Sequence, residues 1–215
     1  VIFVVPEKFS EEKQILMKAL GADIIHTKRE DGMLGAAAKA QELLSEIKDS
    51  ISLQQFKNMS NPKAHYETTG PEIYQDLDGK IDYLVAGAGS GGTYSGVVKF
   101  LKEQNRNIKG ILADPVGSTM GGGEHADYDI EGIGNDFIAD TMDMSLVDKV
   151  IKINDSQAFD GARALARHEG ILGGSSTGAA FSVALKLIYE HHVKGNIVFI
   201  APDSGDRYFS KHLYA

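Results

Sequence analysis

Two short stretches carry residue types that can do chemistry. The first is VAGAGSGGTYSG (Val85–Gly96), in which a run of glycines holds Ser90 and Thr93 between the apolar stretch IDYLVAG and the helix-like stretch VVKFLKEQ. A strand that hands over to a helix through glycines is a natural anion site. The first N–H groups of the helix have no partners of their own, its dipole favours negative charge, and glycine lets the main chain approach a bulky ligand. The second is GGSSTGAA (Gly173–Ala180), which offers the neighbouring hydroxyls of Ser175, Ser176 and Thr177 at the start of an amphipathic helix. Those hydroxyls can cap the helix or contact a ligand.

Spacing alone leaves several ligands open for the first loop. Gly87-Ala88-Gly89-Ser90-Gly91-Gly92 fits G-x-G-x-x-G, and Asp114 closes the next apolar stretch, about 20 residues on, where an acidic residue would hold a ribose hydroxyl of a dinucleotide. A nucleoside-triphosphate loop is disfavoured, because Thr93 follows the glycine pair where a lysine would be needed to reach the terminal phosphates. A turn without a ligand is disfavoured by the backbone entropy that clustered glycines cost. A small phosphorylated ring could use the first loop for its phosphate and the second for its far edge.

Strands and helices alternate around these loops. Val1–Val5 and Ala22–Thr27 read as strands flanking a helix over Glu11–Leu20, with Ser10 as its cap and Gly21 as its stop. Met33–Lys48 reads as a helix, Ile51–Leu53 as a short strand before a polar loop, and Pro71 as the start of a short helix that Thr68 or Thr69 could cap. Beyond the first glycine loop come a helix over Tyr94–Gln104, strands over Ile108–Ala113 and Val150–Ile153, a helix capped by Asp155, a helix over Thr177–His191 and a strand over Asn196–Ala201. This alternation predicts a parallel α/β fold.

Composition narrows the partners. With 42% hydrophobic and 24% charged residues the chain has the makings of an ordinary globular core. The net charge of -8 opposes nucleic-acid phosphates and anionic membranes, so small molecules are the expected partners. No apolar run reaches the roughly 20 residues that a membrane helix needs. Cysteine is absent, which excludes disulfides, thiolate metal ligands and a thiol nucleophile, and fits a reducing, cytoplasmic setting. The opening VIFVVP has no initiator Met, basic n-region or cleavage site and reads as the middle of a domain, hence as a truncated chain. His191 and His192 read as helix-end residues and not a metal pair, Met142 and Met144 as core filling, and Glu11, Glu12 and Lys13 as a solvated helix face.

Five segments in order, LQQFKNMSNPKAHYETTGPEI (Leu53–Ile73), GSGGT (Gly89–Thr93), IEGIGNDFI (Ile130–Ile138), GGSSTGAA and APDSGDRYFSKHLY (Ala201–Tyr214), resemble the pyridoxal-phosphate β-replacement enzymes, the cystathionine β-synthase and cysteine synthase family. NMSNPKAHYETT and IEGIGNDFI look closer to the cystathionine β-synthases. The resemblance implies the α/β fold-type II of pyridoxal-phosphate enzymes, similar to the tryptophan synthase β chain. It would have two parallel-sheet domains: residues 1–58 as the remainder of an incomplete small domain, and 59–215 as the large cofactor-phosphate domain, with the cofactor between them. It implies that Gly89, Ser90, Gly91, Gly92 and Thr93 wrap the phosphate of pyridoxal phosphate. Ser176, with Ser175 and Thr177 as neighbouring alternatives, would bond the pyridine nitrogen. A hydroxyl, unlike a carboxylate, does not hold that nitrogen protonated, so the ring is a weaker electron sink and β-elimination is favoured over transamination. Gln55 resembles the position that binds the substrate carboxylate, or is a surface amide, and Gly132, Ile133 and Gly134 resemble a substrate-side loop.

The implied reaction expels the β-substituent of serine or O-acetylserine and then adds a thiol. Homocysteine gives cystathionine, sulfide gives cysteine, and cysteine as first substrate releases sulfide. Asn135 stands where animal cystathionine β-synthases have a tyrosine, which leaves the thiol open. None of the lysines matches the family's Schiff-base motif, so the catalytic lysine is expected upstream of Val1. No metal is expected, and a homodimer is. Cysteine synthase is the near alternative; a nicotinamide-dependent oxidoreductase and a non-catalytic binding homologue are the distant ones.

Overall fold

Consecutive parallel strands can only be joined by a crossover, and the alternation of apolar runs with amphipathic ones supplies it. In the computed structural model, which describes residues 1–214, the chain forms two units, residues 1–53 with the segment from Gly205 onward, and residues 54–204.

In the first unit β1 (Ile2–Pro6) and β2 (Asp23–Thr27) pair in parallel, Ile2 opposite Asp23 and Pro6 opposite Thr27, with α1 (Glu11–Ala19) as the crossover and α2 (Gly32–Glu46) following. Gly21 ends the α1 segment at φ +85°, as expected for a left-handed stop. Ser10 precedes α1, but its buried hydroxyl makes no capping bond. The α1 face read as solvated is engaged. The Glu12 carboxylate accepts from the Ser210 N–H at 2.6 Å and its hydroxyl at 2.7 Å, and Lys13 Nζ lies 2.7 Å from the Tyr208 hydroxyl. These partners belong to a 3-10 segment at Gly205–Lys211. The expected strand at Ile51–Leu53 is absent: these residues are exposed and join no ladder, because three residues cannot hold an extended shape without a neighbouring strand.

The second unit carries α3 (Ser60–Glu67), α4 (Thr69–Asp76), β3 (Tyr83–Gly87), α5 (Gly92–Gln104), β4 (Lys109–Pro115), β5 (Lys149–Ile153), α6 (Asp155–Glu169), α7 (Ser175–Tyr189) and β6 (Ile197–Phe199). Its four strands are all parallel in the order β5-β4-β3-β6. Successive side chains of β3 leave opposite faces of the sheet. Leu84 and Ala86 pack with Tyr94, Val97, Val98 and Leu101 of α5, whereas Val85 packs with Ala179, Ala180, Val183 and Leu187 of α7. The chain leaves β3 toward β4 and β5 and returns to its other side as β6, so the strand order reverses beside β3. Ligands of parallel α/β sheets bind at such a reversal, beyond the carboxyl ends of the strands, and the glycine loop that follows β3 stands there.

Three boundaries correct the sequence expectations. The polar loop before Pro71 holds a complete helix, α3, and Pro71 is the third residue of α4, within the first turn where proline is tolerated. Neither threonine caps α4: Thr68 donates back to the Ala64 carbonyl at 2.8 Å and Thr69 meets His65. The cap of α6 is Asn154, which forms a reciprocal capping box with Gln157, and not Asp155. Helix α7 begins at Ser175, two residues before the expected Thr177. Met142 is buried as expected, with Met144 packed against the same cluster. No helix among the described residues is long and apolar enough to cross a membrane.

Asp148 ties this unit together. Its carboxylate accepts from Lys102 of α5 at 2.6 Å, from Lys109 of β4 at 3.2 Å and from the Gly110 N–H at 2.8 Å. Burial works to raise its pKa, but the bonds from Lys102, Gly110 and Lys109 together hold it below the usual carboxylate range. A carboxyl depressed in the folded state stabilises the fold above its unfolded pKa, near 3.9, and loses that contribution as pH falls through the lower folded value. Asp148→Asn is therefore expected to lower stability at pH 7 by about 1–2 kcal/mol, with the gap to the unmodified protein closing as the solution is acidified below about pH 4. Urea unfolding at pH 7 and pH 3 measures both; equal stability at pH 7 would refute the assignment.

Candidate functional site

The glycine loop is built by close approaches that forbid side chains. A Cβ on Gly87 would strike the side chain of Ile133, one on Gly89 would come within 2.5 Å of the Gly132 carbonyl, one on Gly91 would overlap Met142, and one on Gly92 would overlap Asn61. Gly91 also adopts φ +83°, the left-handed conformation that turns the chain from β3 into α5. The loop is fixed from outside as well. Thr141 donates to the Ser90 carbonyl at 2.6 Å, and Asn61 Nδ2 lies 2.9 Å from Ser90 Oγ.

The three sequence segments come together through hydrogen bonds. The Gly134 N–H donates to the Ala88 carbonyl at 2.8 Å, and Asn135 Nδ2 donates to the Gly89 carbonyl at 2.5 Å, so the loop 130–135 lies against the glycine loop. At its other end the Glu131 N–H donates to Ser175 Oγ at 3.0 Å, which ties the same loop to the first residue of α7. Asp155 anchors the approach to this loop by accepting from the N–H groups of Asp129 at 2.9 Å and Ile130 at 3.0 Å. Its pKa is raised, chiefly by burial, with the neighbouring Asp129 and Asp127 adding to the rise against the two N–H bonds. Ile133 and Gly134 are buried, while Gly132 is exposed.

The hydroxyls at the start of α7 differ in use. Ser175 Oγ is taken by Glu131, Ser176 is buried, and Thr177 Oγ1 is fully buried with no partner. Gln55 has an exposed side chain, and its main-chain carbonyl accepts from Asn61 at 2.9 Å.

Asp114, the residue that a dinucleotide reading needs, is otherwise engaged. It is 1% exposed and pairs with Lys152 at 2.5 Å while accepting from the Gly121 N–H. Sequence reading missed Asn61, His65 and Thr141 as parts of this neighbourhood, and singled out Asn135 for the choice of thiol and not for its bond to the glycine loop. Only the segment NMSNPKAHYETT hinted at the first two.

A phosphate fits what is present: main-chain N–H groups of the first turn of α5, the hydroxyls of Ser90 and Thr93, and glycines at 89, 91 and 92 whose added Cβ would strike Gly132, Met142 and Asn61 behind the loop. The fold and this loop define a parallel α/β protein with a glycine-rich turn at the strand-order reversal, where ligands of such sheets bind. The family model described as pyridoxal-phosphate dependent enzyme matches residues 1–203, and the chain belongs to that family, whose cofactor is pyridoxal phosphate. It is 50% identical over 213 residues to the O-acetylserine dependent cystathionine beta-synthase of Bacillus subtilis, covering 99% of this chain and 69% of that protein. It is 45% identical to a cysteine synthase of Helicobacter pylori, covering 100% of this chain and 70% of that one. The crystal structure of an O-acetylserine dependent cystathionine beta-synthase from Helicobacter pylori superposes with a TM-score of 0.94 at 44% identity, over 100% of this chain and 70% of that one. The chain is thus of the enzyme group that includes cysteine synthases and cystathionine β-synthases, and its fold is that of these fold-type II relatives.

Proposed function

We propose that this chain is the cofactor-phosphate part of an enzyme that condenses O-acetylserine or serine with homocysteine, breaking the β C–O bond, forming a C–S bond to give cystathionine, and releasing acetate or water. The observation that carries this reading is the tie of one loop, 130–135, to both the glycine loop and the start of α7. When bound, pyridoxal phosphate supplies the electron sink that lets the β-substituent leave.

On this reading Gly89, Ser90, Gly91, Gly92 and Thr93 hold its phosphate, Ser176 meets its ring nitrogen, Gln55 binds the substrate carboxylate, and Gly132, Ile133 and Gly134 border the substrate. Residues 1–58 then belong to the small domain and 59–215 to the large one. The catalytic lysine lies outside residues 1–215, and the working form is a cytoplasmic homodimer. The names of the relatives support the β-replacement class and divide over the thiol, so cysteine formation from sulfide is the second reading.

The full-length protein, given O-acetylserine or serine with homocysteine or sulfide in turn, tests both readings by mass spectrometry of the product. Cystathionine formed with the higher kcat/KM supports the first. Cysteine alone, with homocysteine inert, replaces it by the second.

The hydroxyl assignment has its own test. Ser176→Ala is expected to leave cofactor affinity within roughly fivefold while lowering kcat roughly 10-fold or more, because a neutral hydrogen bond contributes about 1 kcal/mol to binding and acts here on the reacting ring. Ser175→Ala is expected to act instead through the bond from the Glu131 N–H that it removes. If Ser175→Ala lowers kcat and Ser176→Ala does not, the contact belongs to Ser175.

A further inference from the structure

The segment NMSNPKAHYETT forms α3, which packs on α5 while fully burying only Pro62. What it also brings to the glycine loop is a pair of half-buried side chains one helical turn apart, Asn61 and His65, each of which meets one hydroxyl of that loop. Asn61 Nδ2 lies 2.9 Å from Ser90 Oγ and 2.9 Å from the main-chain carbonyl of Gln55. A carbonyl can only accept, so the atom between them is the amide nitrogen, and Ser90 Oγ accepts from it. The Gly92 N–H approaches the same oxygen at 3.5 Å. With its lone pairs so engaged, the Ser90 hydroxyl keeps its proton for another acceptor.

His65 stands in the same relation to the second hydroxyl. Its Nε2 lies 3.0 Å from Thr93 Oγ1, and its Nδ1 lies 3.0 Å from Thr69 Oγ1. A neutral imidazole donates from one nitrogen and accepts at the other, and a hydroxyl has one proton to give. If Nε2 were the acceptor, Thr93 would spend its proton on His65 and turn lone pairs toward an anion. If Nε2 carries the hydrogen, Thr93 accepts from it and its own proton is free for the anion, while the Thr69 hydroxyl donates to Nδ1.

We propose that Asn61 and His65 are positioning residues that aim the hydroxyl protons of Ser90 and Thr93 at a bound phosphate, Asn61 through its amide N–H and His65 as the Nε2–H tautomer set by Thr69. This rests on reading Gly89–Thr93 as a phosphate cradle. The pair makes the loop a surface of donors only, which selects a phosphate oxygen over any group that must donate. Burial holds the His65 pKa below the ordinary imidazole value, in keeping with a neutral ring. Gly96 is what lets α3 come this close to α5, since a Cβ there would crowd the Pro62 carbonyl and would lie 2.8 Å from His65 Cβ.

Two measurements on the full-length protein test the proposal. The first compares dissociation constants of pyridoxal phosphate and unphosphorylated pyridoxal for the cofactor-free protein. The preference for the phosphorylated form is expected to fall roughly 10-fold or more in Asn61→Ala and in His65→Leu, since each leaves a bond to a charged group misdirected. It is expected to return in His65→Gln, whose amide can donate at the same reach. The second needs no variant: long-range nitrogen–proton correlation spectra of the histidine-labelled protein are expected to show His65 protonated at Nε2 and bare at Nδ1. An Nδ1–H tautomer, or variants that keep the full phosphate preference, would overturn the proposal while leaving the cradle intact. An unmodified protein that binds pyridoxal and pyridoxal phosphate alike would remove the cradle and the proposal with it.

Discussion

Gly92→Val is expected to yield a folded full-length protein that retains less than a tenth of the cofactor held by the unmodified one. Gly92 opens α5, and a Cβ there lands on the amide group of Asn61. That amide cannot simply swing away, because it is bonded to both Ser90 Oγ and the Gln55 carbonyl. Valine adds two methyl groups to the conflict and fixes χ1, so the loop must open or Asn61 must leave its partners. Either outcome removes at least two bonds of the kind made to a charged oxygen, each worth about 1.5–3 kcal/mol, or a combined weakening of roughly 100-fold or more. Cofactor released by alkali and counted by absorbance, beside the circular dichroism of the same sample, measures this. A folded variant that purifies with a full complement of cofactor would show that the loop does not hold the phosphate.

The largest loss of stability is expected at Gly178→Val. Gly178 lies in the first turn of α7, where it crosses α6, and a Cβ at this point would overlap the Ala158 carbonyl and stand 2.7 Å from the Ala162 nitrogen. Gly161 answers it from α6, with a Cβ position 2.6 Å from the Gly178 carbonyl. The two helices therefore touch main chain to main chain, and no side-chain rotation can relieve an added group. Separating them would also open the cluster in which Ala158, Ala179, Ala180 and Val183 pack beneath the sheet. A cost of at least about 3 kcal/mol is expected, at the upper end of over-packing effects. Because the same turn carries Ser175 and Ser176, cofactor affinity should fall as well. Denaturant unfolding measures the first effect, and an unchanged midpoint would show that the α6–α7 crossing yields more easily than its geometry implies.

Much of this architecture is legible in the chain. The apolar run Tyr83–Ala86, ending in glycine and followed by Val97, Val98 and Leu101, reads as strand, turn and helix because a continuous apolar stretch gives way through glycines to helical spacing, and the structure places β3 and α5 there. Helix α3 was not legible, since SNPKAHYE has no apolar stripe and no side-chain cap. It is held as a helix by its packing on α5, at Gly96, a contact that local sequence does not announce. The cap of α6 was displaced by one residue because Asn154 and Asp155 are both good caps, and only the fold sends Asp155 to the N–H groups of Asp129 and Ile130.

By itself the sequence determined the parallel α/β alternation, the glycine turn between strand and helix at Gly89–Thr93, and, through five ordered segments, the family and its cofactor. Tertiary structure alone decided which side chains stand behind that loop. Asn61 and His65 precede Ser90 and Thr93 by 29 and 28 residues, and Asn135 follows Gly89 by 46. Periodicity and capping report only on neighbours within a turn or two, whereas these bonds exist because α3, α5 and the loop 130–135 pack at one end of the sheet. The direction of a hydroxyl proton is settled by whichever donor the fold places at its back.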